Sequence, residues 1–148
     1  MLGLSAPGWA QGGDPPPDLA ALRAQAESLA AEGRCAAALD AVAELRAAGR
    51  EDADLLVLAG TCAAQLRRFD AAAEQLRAAL RREPGRADAH LRLAIALYHL
   101  GDADGARAEL SAAAAPGEEP AELLLYRGLL LLDEERGAEA AEALEQAR

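Results

Sequence analysis

A chain that repeats its own pattern every 34 residues has little freedom in how it folds, because whatever supersecondary unit one repeat forms, the next must form again and pack beside it. With Leu19, Ala53, Ala87 and Ala121 as first positions, the 148 residues divide without gaps into units 19–52, 53–86, 87–120 and 121–148, preceded by a segment 1–18. Position 8 of each unit is small (Ala26, Gly60, Ala94, Gly128), and so is position 20 (Ala38, Ala72, Ala106, Ala140). Position 24 is always aliphatic: Val42, Leu76, Leu110, Leu144.

Within a unit the apolar residues fall at positions 4, 7, 8 and 11, then at 17, 20, 24 and 27. Both sets have helical spacing, so each unit predicts two helices. The composition agrees: 41 Ala and 26 Leu leave few β-branched or aromatic residues for strands. Short breakers separate the helices at Gly33, Arg67–Arg68, Gly101–Asp102 and Arg136–Gly137, which allows only antiparallel neighbours. Pro84 with Gly85, and Pro116, Gly117 and Pro120, close the second and third units, since proline cannot continue a helix. A lone hairpin cannot bury both faces, so the four must stack as an all-α solenoid of antiparallel helix hairpins.

The chemistry-bearing residues are sparse. A net charge of −10, from 15 Arg, no Lys and 25 acidic residues, argues against a nucleic-acid binder. His90 and His99 stand nine residues apart, on different faces of one helix, offer no metal pair and read as packing and surface residues. Gly101 and Gly105 belong to a turn and not to a phosphate loop, and Glu118, Glu119, Asp133, Glu134 and Glu135 read as solvated charge at loops and helix ends. No enzyme activity, cofactor or metal is expected. The apolar run Leu123–Leu132 is ten residues long and contains Arg127, too short to span a membrane; it reads as a buried helix with a wide apolar face. Unit charges run −2, +2, −4 and −4, with Arg67, Arg68, Arg77, Arg81, Arg82 and Arg86 forming a solvated convex patch on the second unit.

Segment 1–18 lacks helical periodicity and holds four of the seven prolines, which predicts a disordered tail. Its Leu2–Ala10 stretch resembles the end of a secretory signal peptide, with Gly8 and Ala10 as the small residues a signal peptidase reads, but without a basic n-region. Export to the periplasm or beyond is the reading set against an ordinary leader on a cytoplasmic protein. Arginine without lysine, amid so much Ala and Gly, suggests a GC-rich bacterial genome.

The second unit carries a resemblance to a known family. Leu56, Ala59, Gly60, Phe69, Ala72, Leu76, Ala79 and Pro84 fall in register with the tetratricopeptide repeat (TPR), and the third and fourth units look like weaker copies. The first unit is the most degenerate, with Gln25 at position 7 and Arg50 where the family prefers proline. The resemblance implies a right-handed superhelix whose first helices line a concave groove, with positions 2, 5, 9, 12 and 13 facing a protein or peptide partner. Carried over, the partner-binding residues are Val57, Thr61, Leu91, Ile95, Tyr98, Leu125, Leu129 and Leu132, a groove that turns apolar towards the C-terminus. Relatives that hold a terminal carboxylate use Lys and Asn there; this chain has neither.

The function this implies is a non-catalytic scaffold binding an apolar peptide or helix, in bacterial envelope assembly or secretion. The alternative is a self-associating module whose groove is a homodimer face. Gly137, Ala141 and Arg148, at the positions of Phe69, Ala73 and Leu80, suggest that the stack ends with the fourth unit. Cys35 and Cys62 occupy positions that can meet, either as a disulfide or as two buried thiols.

Overall fold

The computed structural model describes residues 18–115 and 117–148; the expectations for residues 1–17 and for Pro116 lie outside the described residues. Among the described residues there are eight helices and no strand: α1 (Leu19–Ala31), α2 (Cys35–Ala47), α3 (Ala53–Gln65), α4 (Phe69–Arg82), α5 (Ala87–His99), α6 (Ala103–Ala113), α7 (Ala121–Asp133) and α8 (Gly137–Gln146). The first helix of every unit starts on the residue that the 34-residue frame marks. Asp18, which the periodicity leaves in the tail, belongs to the fold: its carboxylate accepts from the Ala20 and Ala21 amides and caps α1.

Each hairpin turns at position 15, and there the backbone enters the left-handed region. Gly33 has φ +75° and Gly101 φ +81°, but the same place is taken by Arg67 and Glu135, each at φ +60°. The pattern Arg136–Gly137 is therefore not the breaker of the fourth unit, since Gly137 opens α8 and Glu135 makes the turn. All four turns close alike, position 15 donating to the carbonyl of position 12 and position 16 to that of position 11, as in Arg67 to Ala64 and Arg68 to Ala63. These bonds satisfy carbonyls that the helix end would otherwise leave open.

Positions 8 and 20 set the separation within a hairpin. Ala26, Ala38, Ala72, Ala106 and Ala140 are fully buried, so at these two positions nothing larger than a methyl separates the paired helices. Glycine at position 8 makes room for a leucine at position 24: a Cβ on Gly60 would lie 2.6 Å from Leu76 Cγ, and one on Gly128 would lie 2.7 Å from Leu144 Cγ. No charged or polar residue is buried among those described, so the core is held by apolar contact alone.

Second helices pack on the first helices of the next unit, α2 on α3, α4 on α5 and α6 on α7. The odd-numbered helices also approach one another closely across units, α1 with α3, α3 with α5 and α5 with α7, whereas the even-numbered helices stand further apart and α2 reaches α4 only through side chains, Arg46 donating to Gln75. The stack therefore curves with its odd helices inside. Ion pairs stitch the junctions. Arg23 reaches Asp52 at 2.6 Å, and Arg46 and Arg82 both hold Glu51, at 2.9 and 2.8 Å. Arg86 bridges Asp54 and Asp88. The basic cluster of the second unit is thus not one convex patch: Arg82 and Arg86 are spent on junctions, Arg67 lies over the Phe69 ring, and Arg68, Arg77 and Arg81 stay solvated.

His90 stands at position 4, where the other units have leucine, and it is more than a packing residue. Its Nδ1 lies 2.6 Å from a Glu109 carboxylate oxygen on α6, and its Nε2 lies 2.8 Å from the Pro84 carbonyl in the α4–α5 connection. Both partners are acceptors, so only the doubly protonated ring can donate to both. Burial opposes the charge, but Glu109 and Pro84 outweigh it and raise the pKa above the usual imidazole value. A raised folded-state pKa contributes stability that is complete below the unfolded value, near pH 6.5, and is lost as pH rises through the folded value. The unfolding free energy read by denaturant titration across neutral pH should therefore fall towards alkaline pH by on the order of 1 kcal/mol, and this slope should vanish in His90→Leu. An equal slope in both proteins would remove His90 as its source.

Candidate functional site

The inner face of the curve is the surface on which the sequence leads one to expect a partner, and the structure divides it into two zones. The first is a cleft of about 250 Å³ between the second, third and fourth units. Its apolar floor is formed by Ala64, Ile95 and the Phe69 ring. Around it stand Thr61 and Gln65 from the end of α3, Arg67 from the α3–α4 turn, Arg92 and His99 from α5, and Glu122 and Tyr126 from α7.

Aromatic contacts hold this cleft rigid. The His99 and Phe69 rings stack at 4.4 Å, 13° from parallel, and Tyr98 meets both His99 and Tyr126 edge to face, at 5.5 and 5.4 Å. The Tyr126 hydroxyl lies 3.3 Å from His99 Nε2, and the Arg67 guanidinium sits 5.6 Å above the Phe69 centroid. Arg92 donates to both oxygens of Glu122, at 3.2 and 3.1 Å. Burial raises the phenols of Tyr98 and Tyr126, helped by the neighbouring carboxylates of Asp133 and Glu122 respectively, so both remain protonated hydroxyls at neutral pH.

The second zone is a stripe on α7. Leu125 is 41% exposed and Leu132 47%, with Leu129 half-buried between them. The run Leu123–Leu132 is therefore not a helix buried on a wide face: Leu123, Leu124 and Leu130 enter the core and Leu125 and Leu132 face solvent. No helix among the described residues is long and apolar enough to cross a membrane.

Of the residues carried over as groove-lining, Thr61 and Ile95 border the cleft and Tyr98 buttresses it. Leu125, Leu129 and Leu132 share the α7 stripe, while Val57 is half-buried against the core. Leu91 and Ile95 are only 8% exposed and belong to the main core, so they are not the free apolar side chains that their positions suggest. The physical reason is proximity: odd helices of adjacent units touch, and side chains pointing along the contact are covered by the next unit. Arg67, Phe69, Arg92 and Tyr126 escaped the position rule. Arg67 lies outside either helix, Phe69 reads as core, and Arg92 and Tyr126 share position 6, one step from a groove position. A charged residue at position 6 beside apolar neighbours was the one available signal.

Behind the cleft lie the two cysteines. Both are buried and free, on α2 and α3, in one small cluster with Leu29 and Ala38. The Cys35 thiol donates to Gln65 Oε1 at 3.0 Å, and burial, reinforced by Cys35, pushes the Cys62 thiol up to about 12. Among the described residues no three His, Cys, Asp or Glu side chains cluster as a metal site.

The family model for the tetratricopeptide repeat matches residues 23–75 and 63–120. Solved structures agree in fold. The crystal structure of MamA superposes with a TM-score of 0.75 at 16% identity, covering 88% of this chain and 76% of that one. The crystal structure of YrrB, described as a TPR protein with an unusual peptide-binding site, superposes at 0.74 with 23% identity, covering 88% of this chain and 67% of that one. A second MamA structure, from MSR-1, gives 0.73 at 16% identity, covering 93% and 80%. No curated protein matches the sequence.

Two outcomes follow from the burial pattern. Leu91→Gln should lower the unfolding free energy by about 2–4 kcal/mol, whereas Leu125→Gln and Leu132→Gln should each change it by less than about 0.5 kcal/mol, as read by chemical denaturation. Equal costs at the three sites would contradict the division into core and stripe. The native thiols should resist a thiol-specific reagent at mildly alkaline pH because both are covered and burial keeps the Cys62 thiol protonated. Denatured without reductant, the protein should titrate both thiols; neither titrating would mean that Cys35 and Cys62 had oxidised to a bridge.

Proposed function

The chain belongs to the tetratricopeptide-repeat family, and from that premise we propose that it is a non-catalytic scaffold that takes an apolar peptide or helix along its concave face, from the cleft at Thr61 and Ile95 to the stripe Leu125, Leu129 and Leu132. The single observation that carries this reading is the exposure of Leu125 and Leu132, 41% and 47%, along one stripe of α7; the other exposed leucines, Leu66 and Leu100, stand singly at the ends of α3 and α5. Large exposed apolar side chains in a row cost solubility and find use when a partner covers them. Tyr98 and Tyr126 add rigid aromatic surface with polar tips, the residue type that dominates binding energy when desolvated. The peptide-binding description of YrrB supports the same reading for this chain.

The same stripe supports a second reading, in which a second copy of the chain covers it and the groove is a homodimer face. Sedimentation separates the two, since only self-association makes apparent mass depend on concentration. For the place of action, the small-residue pattern at Gly8 and Ala10 supports envelope assembly or secretion in a bacterium.

A random peptide library displayed on phage tests the scaffold reading. Apolar peptides selected on the wild-type chain should lose at least about tenfold in affinity on Tyr98→Ala combined with Leu125→Gln, and nothing on Arg77→Ala at the outer face. Selected peptides that bind both variants equally would overturn it.

A further inference from the structure

We propose that the cleft between the second, third and fourth units receives a carboxylate side chain, an Asp or Glu within the apolar segment that the groove binds. This rests on the scaffold reading above and adds the chemistry of the contact.

The argument is an inventory of donors and acceptors. Arg67 forms no ion pair among the described residues, and its guanidinium is held over Phe69 at the cleft. Arg92 uses one of its terminal nitrogens on Glu122 and keeps the other. Gln65 has its amide oxygen engaged by the Cys35 thiol, which leaves its NH2 as the free end. Between His99 and Tyr126, whichever group donates in their mutual bond, one N–H or O–H of the pair is left over. Against these donors the one carboxylate in the lining is Glu122, already neutralised by Arg92.

The local charge is thus positive, in a chain whose net charge is −10 and whose third and fourth units are each at −4. The remote negative charge does not decide the outcome, because at physiological salt charges further than about 8 Å are largely screened. What the ligand group meets is the unpaired guanidinium of Arg67, the Arg92–Glu122 pair with one terminal nitrogen of Arg92 unspent, and a set of neutral donors on an apolar floor, where charge-assisted hydrogen bonds to a carboxylate are the strong ones. A cationic ligand group would have to displace Arg92 from Glu122 and would face Arg67. A neutral amide would waste the charge.

Position 15 supplies an unusually clean variant. Gly33 and Gly101 occupy the place of Arg67 in the first and third units with the same left-handed backbone, so Arg67→Gly removes the guanidinium and keeps the turn. Arg92→Gln removes the second. The library is displayed as N-terminal fusions, so no free C-terminal carboxylate is offered. Peptides selected on the wild-type chain are expected to carry Asp or Glu at one fixed place within an apolar frame, and peptides selected on Arg67→Gly/Arg92→Gln to lack it. The best peptide, resynthesised with Glu, Gln or Lys at that place and capped at both ends, should bind the wild type about tenfold more tightly as Glu than as Gln, and least tightly as Lys. In the double variant the Glu form should bind no more tightly than the Gln form, since Glu122 is then left without Arg92. An apolar pool without acidic enrichment, a Lys preference, or a Glu preference that survives in the double variant would overturn the carboxylate inference and leave the scaffold standing. A pool indifferent to Tyr98→Ala with Leu125→Gln would overturn the scaffold reading and this one with it.

Discussion

The close approach of two helix backbones at positions 8 and 20 is what the rest of this molecule depends on. Where Gly60 faces Leu76 and Gly128 faces Leu144, the leucine fills the volume that a Cβ would claim, so helix separation and core filling are one constraint. Interiors this closely packed tolerate neither the added methyl nor the missing leucine without cost. Once the hairpin is that thin, its outer helix can lie on the inner helix of the next unit, and the inner helices are drawn near enough to touch across units. Curvature, groove and cleft all follow from that asymmetry between odd and even helices.

Polar residues set how the hairpins meet. Asp52 serves twice, at the end of the first unit, capping α3 of the second through the Leu55 amide at 2.9 Å and holding Arg23 of α1 at 2.6 Å. Its carboxyl is held below the usual range by the hydrogen bond from Arg23 and then by that amide. Glu51, Asp54 and Asp88 likewise face cations at the unit junctions, and Glu109 faces His90 within the third hairpin. Much of the acidic charge is therefore structural mortar of modest individual worth, about 1 kcal/mol or less for pairs this exposed. Of the arginines without an ion pair among the described residues, Arg67 stands in the cleft, whereas Arg50, Arg68, Arg77 and Arg81 lie away from it.

Position 15 joins the fold to the site. A non-glycine residue in the left-handed region carries a cost of about 1–2 kcal/mol, and the chain accepts it twice. At Arg67 the gain is visible, because a side chain leaving the turn reaches the groove and lies across Phe69. Nothing in the structure explains Glu135.

The architecture was legible in the sequence because helical hairpins are specified locally: small residues at 8 and 20, aliphatics at 24 and short turns recur within reach of one another along the chain, so a period of 34 residues states both the unit and its start. Local signals also misled, and in consistent ways. Glu135 gave no glycine to mark its turn, Asp18 looked like tail because a cap has no hydrophobic period, and His90 looked like filler because its partners, Pro84 and Glu109, lie on other elements. The site was less legible still. Position numbers named the groove face, but burial of Leu91 and Ile95, exposure of Leu125 and Leu132, and the meeting of Arg67, Arg92, His99 and Tyr126 depend on how far one unit overlaps the next. That overlap is a rigid-body relation between hairpins, set by the sum of contacts at each junction. The sequence by itself determined the unit, its register and the sign of its charges, whereas only the tertiary structure decided which groove side chains remain free to bind, because exposure is a property of neighbours that lie a whole repeat apart along the chain.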